Sequence, residues 1–286
     1  MTDEFVESGP TDEVGDEWEA IDVRDTEADR IARQKDREFS EFRKRLKNTE
    51  QFKVEGSVFD DATYAALYKL VQDDYLQAFG GPISTGKEAN VYEALDDEGE
   101  TVAVKVYLTT TSNFQQMSDY LEGDPRFEGI RGSTTKVVIA WVRKEYSNLK
   151  RAQAAGVAVP NPLAVQRNVL VMEYLGDEEG PAPTLVDVTI ENPETAYSVV
   201  RKYMRRLYDA GLIHGDLSEF NLVFHDGQIT VIDVGQAVTV HHPNAEEFLE
   251  RDCRNIASFF ADLDVDVTTE SLRSYLETEA SPPSRD

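Results

Sequence analysis

The first run of apolar residues at helical spacing starts behind Asp60-Asp61 and passes through Tyr64, Leu67, Leu70, Val71 and Leu76, with either aspartate placed to cap it. The pair Gly80-Gly81 marks its expected end. Period two then takes over, and Asn90 to Leu95 and Thr101 to Tyr107 predict two strands joined by the acidic turn Asp96 to Glu100. Residues 108–135 are polar enough to predict a long insertion, while Lys136 to Ala154 returns to a helical period and stops before Gly156. Strands are predicted over Pro160 to Val165 and Val169 to Leu175. A helix follows over Thr195 to Ala210, with Tyr197, Val200, Tyr203, Met204, Leu207 and Tyr208 on its buried side and Gly211 behind it. Two short apolar runs, Asn221 to Phe224 and Ile229 to Val234, flank His225-Asp226-Gly227-Gln228, and Asp-Gly in that setting predicts a hairpin. Closing helices are predicted over Glu246 to Leu263 and Thr269 to Glu279, so the mixture reads as α+β.

Charge changes the picture next. Acidic residues outnumber basic ones 55 to 29, for a formal charge of -26, and the excess is spread along the chain. That distribution fits a surface suited to a salt-rich cytoplasm, because at about 1 M salt the screening length is about 3 Å and self-repulsion largely disappears. Avoidance of nucleic acid is the other consequence such a charge could have. The first reading has a direct check: far-UV circular dichroism is expected to show unfolding when salt is removed, and full stability at low salt would contradict it.

The ends of the chain differ in sign. Residues 1–29 are dense in Asp and Glu with few apolar anchors and predict a disordered acidic arm. From Arg30 to Lys47 eight basic residues follow in a helical-looking segment, which suits either contact with RNA phosphates or pairing with the acidic arm. No apolar run approaches the length of a bilayer span and the start is acidic, so the expectation is a cytoplasmic protein with no membrane partner. The single cysteine, Cys253, excludes an intrachain disulfide and a cysteine-built zinc site.

The chemistry concentrates between Leu212 and Ala237, LIHGDLSEFNLVFHDGQITVIDVGQA. Folding the hairpin brings Asn221, at the start of its first strand, beside Asp233, near the end of its second. A carboxylate and a carboxamide meeting there suit Mg²⁺, which takes one or two protein carboxylates together with phosphate oxygens. Asp216 lies on the loop above, where it could accept a proton. His214, Asp216, Asn221 and Asp233 in this order match the phosphoryl-transfer centre of the protein-kinase superfamily.

Upstream, Gly81 to Lys87 fits the spacing of a Walker loop, but Glu88 stands where Ser or Thr would ligate Mg²⁺, and the setting is strand, turn, strand. The Gly86 loop is therefore expected to cover a triphosphate in the kinase manner. Lys105, in Val102 to Val106, is a cation among β-branched residues and needs a carboxylate partner. Glu145 on the following helix is the candidate. Met172 to Gly176 leaves a strand as an interlobe hinge would. His241 and His242 adjoin with no Cys or third His nearby, which favours a structural role over a metal site.

These segments resemble the RIO family of atypical protein kinases, in its type-one branch with an archaeal, halophilic composition. STGKEANVY (Ser84 to Tyr92), VAVKVY with Lys105, RKEYSNL with Glu145, VMEYLG, HGDLSEFN, VIDVGQAV and HHPNAEEFLERDCRNI carry the resemblance, from about residue 57 to 263. It implies a two-lobed kinase-like fold with a shortened C-terminal lobe. The lobes would be residues 51–172 and 173–279, between an arm at 1–50 and a tail at 280–286. It also implies ATP and Mg²⁺ as cofactors, Ser/Thr autophosphorylation, ATPase activity and a role in maturing the small ribosomal subunit, with the immature particle's protein and rRNA as partner. By the same resemblance Ser84 and Lys87 lie at the nucleotide, and Lys105 holds phosphates with Glu145 as its partner. Glu173 and Leu175 meet adenine through the backbone, Asp216 accepts the proton, and Asn221 and Asp233 hold Mg²⁺. Asp233 is also implied as a transient phosphoryl carrier. Gly215 in place of the Arg of H-R-D, Ser218 in place of Lys and Val234 in place of Phe depart from ordinary kinases and agree with the RIO pattern. HGD-x4-N is shared with small-molecule phosphotransferases of the aminoglycoside or choline type, which stay an alternative, as does an ATP-switched assembly factor.

Overall fold

The computed structural model describes residues 59–109, 114–121, 127 and 133–283. The expected acidic arm, the basic segment after it and the last three residues of the tail lie outside the described residues.

Asp60 caps α1 (Asp61–Gln72), its carboxylate accepting from the Thr63 amide at 2.7 Å. Tyr64, Leu67 and Leu70 are buried, as the apolar rhythm requires. The helix ends at Gln72, short of the glycines expected to stop it, and Gly80 and Gly81 lie inside a strand, β1 (Ala78–Thr85). A Cβ on Gly80 would sit 3.1 Å from the Glu93 carbonyl oxygen, and the pairing register shifts between Phe79 and Pro82. The glycine answers the close approach of an irregular strand pair rather than a helix terminus.

β2 (Ala89–Leu95) and β3 (Thr101–Tyr107) follow, the latter buried almost throughout. The polar stretch 108–135 is not a structureless insertion: it contains α2 (Phe114–Leu121), whose Met117 and Leu121 are buried, as is Phe127. Too few apolar positions in that window made the helix hard to see. Ser133 caps α3 (Thr134–Ala154), accepting from the Lys136 amide. β4 (Pro162–Gln166), β5 (Val169–Glu173) and the small pair β6 (Gly176–Asp177) and β7 (Gly180–Pro181) come next. β1 to β5 form one antiparallel sheet in the order β1-β2-β3-β5-β4.

Asn192 caps α4 (Pro193–Asp209), and β8 (Leu212–Ile213) leads from it into the segment of His214 and Asp216. β9 (Leu222–His225) and β10 (Gln228–Val231) make the expected hairpin. Its two turn residues, Asp226 at φ 49° and Gly227 at φ 75°, both take the left-handed conformation of a type I′ turn. β11 (Val238–Thr239) pairs back onto β8, and α5 (Ala245–Ala261) and α6 (Thr269–Glu279) close the chain. Arg273 of α6 binds Glu246 and Glu250 of α5 and Glu277 of its own helix.

Two cores result. One packs Phe59, Leu67 and Leu70 against Tyr92, Val104 and Val171 of the sheet. The other joins Val138, Trp141 and Leu149 of α3 to Val200 and Leu207 of α4, Phe260 of α5 and Leu272 of α6. α3 therefore lies beside the sheet while its buried face belongs largely to the second core. Among the described residues no helix is long and apolar enough to cross a membrane.

Candidate active site

A cleft of about 640 Å³ separates the sheet from the hairpin. Its apolar walls include Ile83, Val91 and Ala103 on one side and Val223 and Ile232 on the other, with Met172 at the back. Ser84, Lys87, Lys105, Glu173, Leu175, Asn221 and Asp233 line it too, so seven of the residues singled out from sequence share one cavity. Glu145 is 1% exposed and lies behind Lys105.

Lys105 on β3 is 7% exposed, and its Nζ donates to Glu145 Oε1 at 2.7 Å and to Asp233 Oδ1 at 2.8 Å. Burial works against the ammonium, but Asp233 and Glu145 overcome it and hold Lys105 well above its ordinary range, so it stays charged. The contact to Asp233 spans 128 positions and joins the two halves of the molecule across the cleft. Lys105 depresses the Asp233 carboxyl below the usual aspartate value, and 54% of that side chain remains open to the cleft. Asp233 sits at φ 57° and ψ 56°, a left-handed conformation that Asp tolerates better than most residues. Such backbone, held by its surroundings, is common where a side chain must be aimed.

Asn221 ends a short 3₁₀ turn (Glu219–Asn221) rather than starting the strand. Its Nδ2 donates to the Asp216 carbonyl at 2.8 Å, so Oδ1 is the side-chain atom it has to offer a cation, and its own carbonyl accepts from the Ile232 amide, next to Asp233. The donor set is thus an amide oxygen and a carboxylate, hard oxygens of the kind Mg²⁺ takes, and the residues fit that ion.

Asp216 is half-buried beyond the cleft lining and is joined to it by Gln236, whose Nε2 donates to Asp216 Oδ2 at 3.2 Å. Burial raises its carboxyl above the usual value, aided by the nearby charges of Asp233 and Glu88 and opposed by Arg251. A carboxylate of raised basicity accepts a proton more readily. His214 is buried and its pKa is lowered by that burial. The Asp216 amide donates to His214 Nδ1, so the proton of the neutral ring is on Nε2, bound to the Ile232 carbonyl at 3.1 Å.

The loop that carries Asp216 is held from below by a residue to which the sequence reading gave no role. Asp252 on α5 is 2% exposed and accepts from the Gly215 amide and the Leu217 amide, each at 2.8 Å. Burial pushes its carboxyl up to about 7 despite both amides. An acidic residue on the apolar face formed by Leu249, Cys253 and Ile256 was the available signal. Gly215 itself has φ +78°, and a Cβ there would lie 3.0 Å from the Gln236 carbonyl oxygen, which explains why no Arg occupies the position. Asp252→Ala orphans two buried amides and is expected to cost about 2–4 kcal/mol of stability, with reduced turnover in the protein that remains folded. Urea titration against the parent checks the first effect and single-turnover kinetics the second.

Two other buried groups fix the segment after Asp233. Lys144 Nζ donates to the Gly235 carbonyl at 2.9 Å, and Asn148 Nδ2 donates to the carbonyls of Val234 and Ala237, each at 3.1 Å. His242 is buried, stacks on Phe248 and accepts from the Asn244 amide, a structural placement.

Comparison with known proteins agrees with this geometry. The family described as RIO domain matches residues 90–272. The RIO-type serine/threonine-protein kinase Rio1 of Haloferax volcanii is 64% identical over 278 residues, covering 96% of each chain. The Rio1 kinase of Methanocaldococcus jannaschii is 37% identical over 253 residues, 87% of each chain. Among solved structures, the Rio2 kinase-ADP/Mg²⁺-phosphoaspartate complex from Chaetomium thermophilum superposes with a TM-score of 0.57 at 24% identity, over 74% of this chain and 65% of that one. The fold is therefore the two-lobed, α+β, kinase-like fold of RIO type. Sheet, cleft and sequence kinship agree, and the chain belongs to the RIO family of serine/threonine protein kinases, in its Rio1 branch.

Proposed function

We propose that this chain is a serine/threonine kinase and ATPase that uses Mg-ATP and acts on immature small ribosomal subunits in the cytoplasm. The observation that carries the reading is Lys105, a buried ammonium shared between Glu145 and Asp233 at the floor of a nucleotide-sized cleft. Its charge suits the α- and β-phosphates. The apolar walls suit a flat base. The Leu175 carbonyl already accepts from the Ala182 amide, so its N–H is the group offered to adenine. Ser84 and Lys87 lie at the phosphate end, in and just after β1.

Asn221 Oδ1 and the Asp233 carboxylate would hold Mg²⁺, which supplies neutralisation of the phosphate oxygens. Asp216 takes the proton from the attacking hydroxyl, of a serine, a threonine or water, while Gln236 fixes the orientation of its carboxylate. Kinship with Rio1 kinases supports protein phosphorylation, and the ribosomal role rests on the resemblance in the motifs alone. Release of labelled phosphate from γ-labelled ATP, at molar salt, tests the reading. Turnover is expected to rise when immature small subunits are added. Hydrolysis indifferent to such particles would contradict the ribosomal role, and no hydrolysis or autophosphorylation at all would contradict the enzymatic one.

A further inference from the structure

Glu145 presents two carboxylate oxygens, and Lys105 occupies only Oε1; the Tyr107 hydroxyl donates to Oε2. Tyr107 is 2% exposed, lies two residues beyond Lys105 on the same strand, and has its ring 5.2 Å from the Lys105 ammonium. A phenylalanine would fill this space equally well, so packing alone does not call for the hydroxyl. Without it, Oε2 would be a buried carboxylate oxygen lacking this donor, and Lys105, already bound to Oε1, is a cation within reach of it. A carboxylate turned to engage Lys105 through both oxygens would draw the ammonium away from Asp233.

We propose that Tyr107 is a positioning residue: by occupying Glu145 Oε2 it keeps Lys105 shared with Asp233, so that the contact across the cleft is closed before nucleotide arrives. The other buried polar groups point the same way. Lys144 and Asn148, on the same helix as Glu145, bind the carbonyls of residues 234, 235 and 237, so α3 is tied both to β3 and to the segment that aims Asp233. The helix carrying the partner of Lys105 is thus fixed from both lobes, and the assembled pair is a property of the fold rather than of an added ligand or modification.

This inference rests on the ATP-using reading for its kinetic test, and a structural arm tests it independently. ATP turnover is compared for the full chain, Tyr107→Phe, Glu145→Gln and the double variant. Tyr107→Phe is expected to lower kcat/KM about tenfold and Glu145→Gln about a hundredfold, with the double variant within about twofold of Glu145→Gln, because Tyr107 acts only through Glu145. Effects that multiply in the double variant, or a Tyr107→Phe indistinguishable from the parent, would overturn the proposal. A nucleotide-free crystal structure of Tyr107→Phe is expected to show the Lys105 to Asp233 contact lengthened beyond hydrogen-bond reach from 2.8 Å, and an unchanged contact would overturn it whatever the kinetics show. Should Tyr107→Phe fail to fold, the double variant, which leaves no buried carboxylate without a donor, carries the comparison. A parent that turns over no ATP would sink the functional reading while the crystal structure still decides on Tyr107.

Discussion

Asp216→Asn is expected to lower kcat for ATP turnover about 10³-fold, roughly 4 kcal/mol of transition-state stabilisation, while the dissociation constant for Mg-nucleotide stays within about threefold of the parent. The asymmetry follows from where Asp216 lies. It does not line the cleft, and its contacts are with Gln236 and, through its main chain, with Asn221 and His214. An amide of the same shape keeps those contacts and cannot accept the proton. Single-turnover kinetics beside equilibrium nucleotide binding separates the two quantities. Parallel loss of binding and rate would remove Asp216 from the role of proton acceptor.

Asp233→Asn is expected to behave differently. The left-handed backbone at this position is as acceptable to Asn as to Asp, so the fold should persist, with thermal stability close to that of the parent. What is lost is charge. Lys105 keeps Glu145 but loses the charge of its partner across the cleft, and the metal loses its only carboxylate among the residues assigned to it. Mg²⁺ dependence of nucleotide binding is expected to weaken about 10- to 100-fold, and turnover to fall by about 10³ or more. Titrating Mg²⁺ against a fixed nucleotide concentration measures the first directly. A variant whose Mg²⁺ requirement is unchanged would place the metal elsewhere.

The contrast between these substitutions reflects how the site is assembled. Asp252 holds the loop that carries Asp216, and Glu145 and Tyr107 hold Lys105. Lys144 and Asn148 tie the helix of Glu145 to the segment after Asp233, and the Lys105 to Asp233 contact adds a further tie across the cleft. Lys105 is buried while more than half of the Asp233 side chain is open to the cleft, and the attraction between them is offset in part by the desolvation of the ammonium.

Much of this was legible from local pattern. The hairpin around Asp226-Gly227 could be read because a two-residue type I′ turn has a narrow sequence preference, and reading it put Asn221 near Asp233. Lys105 stood out because a cation in a β-branched run demands an anion. Where the pattern failed, the cause was tertiary. Gly80 and Gly81 look like a helix stop, yet the approach of Glu93 in the neighbouring strand is what requires Gly80. α2 is short, and its Phe114, Met117, Tyr120 and Leu121 stand in a largely polar stretch; Met117 and Leu121 are buried in the second core. Asp252 and Tyr107 sit within quoted motifs, but their partners lie 35 or more positions away, at a range that periodicity does not reach.

The most direct measurement is a crystal structure of the full chain with Mg²⁺ and a non-hydrolysable ATP analogue. The expected result places Lys105 Nζ on an oxygen of the α- or β-phosphate, the metal on Asn221 Oδ1 and Asp233, and the terminal phosphate facing Asp216. A nucleotide bound outside the cleft between β3 and the hairpin, or a metal that touches neither Asn221 nor Asp233, would contradict it.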